Sequence, residues 1–400
     1  MSLSDLPGSL PERPVADPAL DPSRTQGPTT ALAEPVERVR SLWVTGVVLV
    51  NVGINAAFFG PIQVLLGQQA IHFDEGQKEA ILALVTGCGA AVSMVANPLF
   101  GAFSDRTTSR FGRRVPWVLF GAILGTVALL ALAGAPNVAV MTILWCLVQA
   151  GCNGAYAAIT AAIPDRVPVP QRGAVGGLAA MGQTVGILVG AVIASVVSGN
   201  FALGYIVCAA ALLAGVVLYL FKNGDVPLAP EARPPFILWT FVKGFWISPV
   251  KYPDFAWAWL TRFLVNVGNH MVTLYLLFFL KDAVHIEEMQ GIKPEFGVLI
   301  LTGLYAVMVI ITSVVGGAIS DRMGKRKPLV IASSVVISIA ALILAFEPTW
   351  TGPLRVPWCS ALASVRIWRS TSPSLPKCCL RPWIGAGTLG SSTSPTLCRR

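Results

Sequence analysis

An all-α integral membrane protein is the fold class this sequence predicts, and three observations predict it. Apolar residues make up 54% of the 400, charged residues 12%, and the mean hydropathy is +0.68. The apolar residues gather in runs of about 20, the length of helix that crosses ~30 Å of hydrocarbon. A short charged motif follows two of these runs. It reads Gly101-Ala-Phe-Ser-Asp105-Arg106, then Gly112-Arg113-Arg114, and recurs as Gly317-Ala-Ile-Ser-Asp321-Arg322, then Gly324-Lys325-Arg326-Lys327. The two aspartates stand 216 residues apart. A repeat of that period in an apolar chain argues for two similar helix bundles that rock against one another.

This composition excludes a soluble multidomain chain. The net charge of +9 and pI near 9.3 would suit a nucleic-acid binder. The basic residues, however, lie in short loops between apolar runs, with no interleaved aromatics, so the lipid bilayer is the expected partner and nucleic acid is not. Loops on one side carry Arg106, Arg110, Arg113, Arg114, Arg166, Arg172, Lys222, Arg233, Lys243, Lys251, Arg322, Lys325, Arg326 and Lys327, against Lys78, Lys281 and Lys293 on the other, 14 to 3. The bias places the amino terminus and both motifs in the cytoplasm.

Residues 1–40 read as a disordered cytoplasmic tail, rich in Pro, Asp, Ser and Thr and without the apolar core of a signal peptide. Spans are expected at 41–66, 79–103, 116–134, 138–162, 175–197 and 202–221, an N-terminal six-helix bundle over 41–221. Pro116 opens the third, Ala135-Pro136-Asn137 turns into the fourth, and Ser198-Gly199-Asn200 separates the fifth from the sixth. A Pro-rich cytoplasmic linker covers 222–254, and spans at 255–280, 296–319 and 328–347 form a partial C-terminal bundle. Residues 348–400 have another character: Arg, Ser, Trp, Pro and Cys crowd together, and Cys359, Cys378, Cys379 and Cys398 are four of the eight cysteines. The expectation here is a one-base slip near Gly352. With permissive codons, the shifted frame supplies an apolar helix and a segment similar to Thr160–Gly173. About nine spans of an expected twelve are therefore recognisable.

The other cysteines, Cys88, Cys146, Cys152 and Cys208, sit singly in apolar segments as small packing residues. With no CxxC pair of zinc-like spacing, no HExxH, no nucleophile–base pair and no phosphate loop, neither an enzyme nor a resident metal or cofactor is expected.

At the motif, the chain resembles the major facilitator superfamily, whose G-x-x-x-D-R-x-G-R/K-R/K pattern falls between helices two and three and again between eight and nine. The first copy is longer, Asp105-Arg106-Thr-Thr-Ser-Arg110-Phe-Gly112-Arg113-Arg114. That form, and the loop Pro164-Asp165-Arg-Val-Pro168-Val-Pro-Gln-Arg172-Gly173, is similar to the glycoside–pentoside–hexuronide cation symporters and the related sucrose-transporter-like branch. The resemblance spans 41–352 and implies a major facilitator fold. It further implies that Gly101, Asp105, Arg106 and Arg113, with Asp321 and Arg322, form a latch that steadies one access state, with one partner in an eleventh helix. Physically, a carboxylate at a helix end can face the positive end of another helix and a nearby arginine. The competing reading is that these charges only obey topology.

Polar groups inside spans cost free energy unless they face partners or water, so they are the candidates for a solute cavity. The first span offers Asn51, Asn55 and Gln63, with Gly60-Pro61 interrupting it. The fourth offers Trp145, Gln149, Asn153 and Tyr156, spaced four, four and three along one face, and the fifth adds Gln183. The seventh carries Arg262, Asn266, Asn269 and His270. Amides beside aromatics suit a sugar, whose hydroxyls need donors and acceptors and whose ring face stacks on indole or phenol. The same amides would serve as well to bond helices together. Arg262 can snorkel to the interface, and His270 is either a proton carrier or a hydrogen-bonded structural group. The cores of the first six spans contain no Asp or Glu, so coupling to H+ or Na+ and simple uniport both stay open. Gly182, Gly186 and Gly190 mark a helix-packing seam, without the Gly-Pro pair of the superfamily's drug–proton antiporters. The expected activity is movement of a small polar solute, a sugar or glycoside, across the plasma membrane by a monomer using alternating access. The alternatives are efflux of amphipathic compounds, and a sensor or defective product that transports nothing.

Overall fold

The structure is a computed structural model that describes residues 35–197, 199–221, 225, 227–228 and 252–323. Within these residues all regular structure is helical. In chain order the elements are α1 (Ser41–Gly60), a π turn at Pro61–Leu65, α2 (Leu66–Phe73), α3 (Lys78–Ser104), α4 (Val115–Leu132), α5 (Val138–Arg166), α6 (Val169–Val196) and α7 (Phe201–Phe221). Then follow α8 (Pro253–Phe278), a second π turn at Phe279–Ala283, α9 (Ile286–Gln290) and α10 (Pro294–Met323). Seven helical stretches among the described residues are long and apolar enough to cross a membrane: Ser41–Phe73, Glu75–Ser104, Val115–Leu132, Val138–Arg166, Val169–Val196, Phe201–Phe221 and Phe255–Ala283. α10 is apolar over Pro294–Val309. The expected ninth span at 328–347, most of the 222–254 linker, and the tails lie outside the described residues.

Three spans run differently from the sequence reading, the fourth because α5 continues through Pro164 to Arg166 instead of ending at 162. Gly60-Pro61 was expected to interrupt the first helix, which would then end at 66. Instead the chain stays helical to Phe73 by way of the π turn, in which the Leu66 amide donates to the Pro61 carbonyl. Proline has no N–H and crowds the carbonyl four residues back, yet the helix continues past Pro61, and the widened ring follows the proline on its C-terminal side. The fifth span was expected from 175, but α6 begins at Val169, with Pro170 accommodated in the first turn where an N–H has no intrahelical partner. The expected turns are present: Asn137 Oδ1 accepts from Val140 N at 2.9 Å to cap α5, and Asn200 Oδ1 accepts from Leu203 N at 3.1 Å to cap α7.

The chain divides into two compact units. The first comprises Met1–Ala57, Leu84–Gln183 and Ala209–Lys243, and the second Phe58–Ala83, Thr184–Cys208 and Gly244–Arg400. In the first unit, small residues bring backbones into contact. A Cβ on Gly121 of α4 would lie 2.5 Å from the Gly151 carbonyl oxygen of α5, and one on Gly215 of α7 would lie 2.5 Å from the Leu49 carbonyl oxygen of α1. α4 shows the inverted pattern of a lipid-immersed helix: Phe120, Ile123, Val127 and Leu130 are exposed, while Gly121, Ala122, Gly125 and Leu129 are buried. The glycine seam of α6 holds here too, since a Cβ on Gly182 would meet the Val48 carbonyl oxygen at 2.8 Å. In the second unit the same seam brings the Gly190 carbonyl oxygen within 3.1 Å of a Cβ built on Gly60.

Candidate functional site

The first motif builds a compact ionic cluster in the first unit. α3 ends at Ser104, and residues 105–114 loop into the start of α4. Gly112 turns that loop at φ +98°, a region where side chains are strained, and a Cβ there would overlap the Asp225 side chain. Asp225 is thereby drawn onto the first turn of α4. Its Oδ2 accepts from Arg114 N at 2.5 Å and from Val115 N at 3.2 Å, satisfying two amides that have no intrahelical acceptor and setting a negative charge at the positive end of the helix.

The guanidinium groups point the other way. Arg114 Nη2 pairs with Asp105 Oδ1 at 2.6 Å and its Nε with Asp165 Oδ2 at 2.7 Å, while Nη1 donates to Ser104 Oγ at 3.1 Å. Arg113 Nη2 meets the same Asp165 oxygen at 2.5 Å. Both arginine side chains are under a tenth exposed, Asp165 is 23% exposed and Asp105 51%. Burial by itself would push the Arg114 pKa down. The charges of Asp165 and Asp105, with their hydrogen bonds, outweigh it and hold the pKa above the ordinary arginine value. Arg106 turns back on its own helix, Nη1 donating to the Ala102 carbonyl at 2.6 Å. At Gly101 a Cβ would meet nothing within 4 Å, so no close approach explains a glycine there.

Of the latch residues read from the sequence, then, Asp105 is joined to Arg114, a motif residue left out of the expected set, and Arg113 goes to Asp165. The carboxylate at a helix N-terminus is that of Asp225. Asp165 had a visible signal: it is the one acid in the stretch 164–173, which reads from the sequence as a loop with Arg166 and Arg172 and is the last turn of α5 and the start of α6 in the structure. Asp225 had none, being one acid in a Pro-rich connector. Asp321 and Arg322 fall in the last turn of α10, and Gly324 to Lys327 lie outside the described residues.

The polar stripe of α5 is partly assembled. Asn153 Nδ2 donates to the Gln149 carbonyl at 2.9 Å and to Gln149 Oε1 at 3.0 Å, and Gln183 Nε2 of α6 donates to Tyr156 Oη at 3.1 Å. Trp145 is fully buried and packs on α3, where a Cβ on Gly89 would meet its Nε1 at 2.6 Å. Asn51 and Asn55 donate to carbonyls one turn back, of Val47 at 2.9 Å and Asn51 at 2.8 Å. In the second unit, Gln63 Nε2 reaches Thr302 Oγ1 at 3.5 Å. Asn266 donates to the Arg262 carbonyl at 2.8 Å, and Asn266, Asn269 and His270 are exposed.

The second unit also holds contacts that the sequence reading did not single out. Lys78 Nζ lies 2.7 Å from Asp282 Oδ2 and 5.5 Å above the Phe278 ring, and Lys281 Nζ lies 2.8 Å from Glu75 Oε1. Gln68 Nε2 donates to Glu295 Oε1 at 2.8 Å, Ser195 Oγ to the Glu295 carbonyl at 2.8 Å, and Tyr205 Oη to Gln69 Oε1 at 2.8 Å.

Against known proteins, residues 21–381 match the profile of the Major Facilitator Superfamily. The chain belongs to that superfamily. This makes it a multi-pass membrane protein of a transporter family rather than an enzyme. Over 49 residues, 12% of its length, this superfamily member is 41% identical to the Sucrose transport protein SUT1 of Oryza sativa subsp. japonica, and equally to that of subsp. indica. The match spans only 9% of the length of those proteins. Among solved structures, a peptide transporter POT in complex with sulfate superposes with a TM-score of 0.62 at 13% identity, over 85% of this chain and 83% of the other. A POT family transporter in complex with a thioalcohol-conjugated peptide gives 0.61 at 14%, over 82% of each. A bacterial homolog of the human lysosomal transporter Spinster, inward-facing and unoccupied, gives 0.57 at 15%, over 82% of this chain and 72% of that one. At such identities the likeness establishes the shared fold alone.

Proposed function

We propose that this chain carries a small, neutral, hydroxyl-rich solute, a sugar or glycoside, across a cell membrane by alternating access. The observation that carries this reading is the paired set Gln149–Asn153 and Tyr156–Gln183: amides and a phenol in mid-span positions of α5 and α6, without a carboxylate in the cores of the first six spans. Such groups both donate and accept, as hydroxyls require, and they offer no charge to hold an ionic solute. The short likeness to sucrose transport proteins and the longer form of the motif support the sugar and the glycoside–pentoside–hexuronide branch. The remaining cavity residues in this reading are Asn51, Asn55, Gln63, Trp145, Asn266 and Asn269, with His270 as the candidate proton carrier.

Within the proposal the cluster of Asp105, Arg113, Arg114, Asp165 and Asp225 is the cytoplasmic latch, the amino terminus is cytoplasmic, the membrane is the plasma membrane, and the protein acts as a monomer with two bundles divided near 222–254. The reading frame changes near Gly352; sequencing that locus and finding no open apolar frame would end that part. Uptake of labelled glycosides into vesicles tests the whole, for this chain and for the product re-read in the shifted frame. Accumulation or exchange of a neutral glycoside is expected, falling at least tenfold in Gln149→Ala and Tyr156→Phe. If no sugar moves with either form, efflux or sensing takes its place.

A further inference from the structure

The loop between α3 and α4 carries an addition that its ion pairs do not use. Five residues, Thr107-Thr-Ser-Arg110-Phe111, separate Arg106 from Gly112, where the superfamily pattern has one. The stretch is pinned at its base. Trp117 Nε1 of α4 donates to Thr107 Oγ1 at 2.6 Å, and Phe111 N donates to Ser109 Oγ at 3.3 Å. At the tip Phe111 is 62% exposed, with the Arg110 guanidinium 4.9 Å from its ring centroid. Arg110 makes no hydrogen bond or ion pair among the described residues. Arg113 and Arg114, by contrast, are matched by Asp165 and Asp105.

The length of α4 fixes how deep this tip lies. Its 18 residues, Val115–Leu132, rise about 27 Å at ~1.5 Å each, slightly less than the ~30 Å hydrocarbon layer. A helix that short has both ends at the hydrocarbon boundary, so Phe111, just before Val115, falls in the headgroup layer. The rings beneath it form an interfacial belt. Trp117 lies 5.3 Å from Phe100, 5.7 Å from Phe103 and 6.1 Å from Phe120 between ring centroids, and Phe103 and Phe120 each keep an exposed side. An exposed phenylalanine beside an arginine without an acid is poorly matched by water alone. Among phospholipids both are satisfied, the ring by the upper acyl chains and the guanidinium by a phosphate. The amine of a zwitterionic headgroup finds no unmatched acid here, since Asp105, the acid of this loop, pairs with Arg114. The charge balance therefore favours an anionic lipid.

We propose that Arg110 and Phe111 form a binding site for an anionic phospholipid, the ring seated among acyl chains and the guanidinium on the phosphate. The proposal does not depend on which solute is carried, and its test needs none. Thr108→Cys, in a background with the native cysteines replaced, carries a fluorophore in phosphatidylcholine vesicles. Phosphatidylglycerol or phosphatidylcholine with a nitroxide near the top of one acyl chain is added in trace, and quenching is compared. The anionic lipid is expected to quench about fivefold more strongly, the preference that one cation near a bilayer surface confers. Arg110→Gln brings the ratio toward one, and Arg110→Lys retains most of it. Phe111→Ser weakens quenching by both lipids, because the tip rises out of the layer. Millimolar glycerol phosphate leaves the ratio unchanged. Equal quenching by the two lipids in the parent, or an unaltered ratio in Arg110→Gln, overturns the site. Loss of the preference on adding glycerol phosphate assigns the contact to a free phosphate and overturns the lipid equally. Should the cysteine-free background fail to fold, native mass spectrometry of the unmodified chain carries the same test. The parent is then expected to retain about fivefold more phosphatidylglycerol than Arg110→Gln, and equal retention overturns the proposal.

Discussion

Asp165 holds two buried guanidinium groups, and that sets what its removal should do. In Asp165→Asn both arginines lose their shared anion while still enclosed, and a loss of about 2–4 kcal/mol is expected in thermal or denaturant unfolding of the purified protein. Asp105→Asn should cost less, on the order of 0–1 kcal/mol, because half of that side chain is in water. A larger loss in Asp105→Asn than in Asp165→Asn would mean that the cluster is centred on the wrong carboxylate. Kinetics should test the proposed latch: Asp105→Asn is expected to leave the fold intact and change the transport rate, and unaltered kinetics would remove Asp105 from that proposal. The raised Arg114 pKa gives a sign to the pH dependence. Its contribution is complete below the ordinary arginine pKa and is lost only as pH rises through the raised one, so titration of this cation does not alter stability at any cellular pH. Gly112→Ala meets both a positive φ and the Asp225 side chain, and a drop in the yield of folded protein should follow. The place of this cluster was legible in outline, since a charged motif after an apolar run marks where a span gives way to a loop. The pairings were not, because an arginine's reach covers several candidate acids, and helix rotation decides among them.

At the scale of elements, packing by small residues makes a second kind of prediction. α4 and α5 meet backbone to backbone at Gly121 and Gly151, so Gly121→Leu has no cavity to fill and must drive the helices apart. We expect it to abolish a monodisperse detergent-solubilised protein, whereas Val127→Leu on the exposed face of the same helix should be neutral. The π turns behave differently. Pro61→Ala restores an N–H and permits an ordinary α turn, which would rotate Gln63 and everything after it relative to Asn51. Thermal stability is expected to hold or rise while transport falls; a fall in both would mean that the π turn only accommodates the proline. The helices themselves were readable from runs of apolar residues and from Pro116, Asn137 and Asn200 at their ends. The continuation of the first span through Pro61 was not, since proline signals a disturbance without saying whether the helix stops or widens.

For the molecule as a whole, the orientation and the repeat are open to a direct check. Cysteines placed at Arg110 and Lys325 should be reached by impermeant reagent only from the cytoplasmic face, and one at Gln77 only from the opposite face. Labelling of the first two on opposite sides would dissolve the two-bundle reading. The sequence alone determined that this is a helical membrane protein with a half-length repeat, because a bilayer demands ~20 apolar residues of each span wherever that span packs. Such a demand is local, and local demands are written in consecutive residues. Tertiary structure alone decided that Asp165 joins Arg113 to Arg114, that Asp225 seats itself on α4, and that Lys78 and Glu75 find Asp282 and Lys281 some 200 residues away. These contacts depend on how each helix is turned about its axis, a choice made by the shape of its neighbours and left unstated by its own sequence.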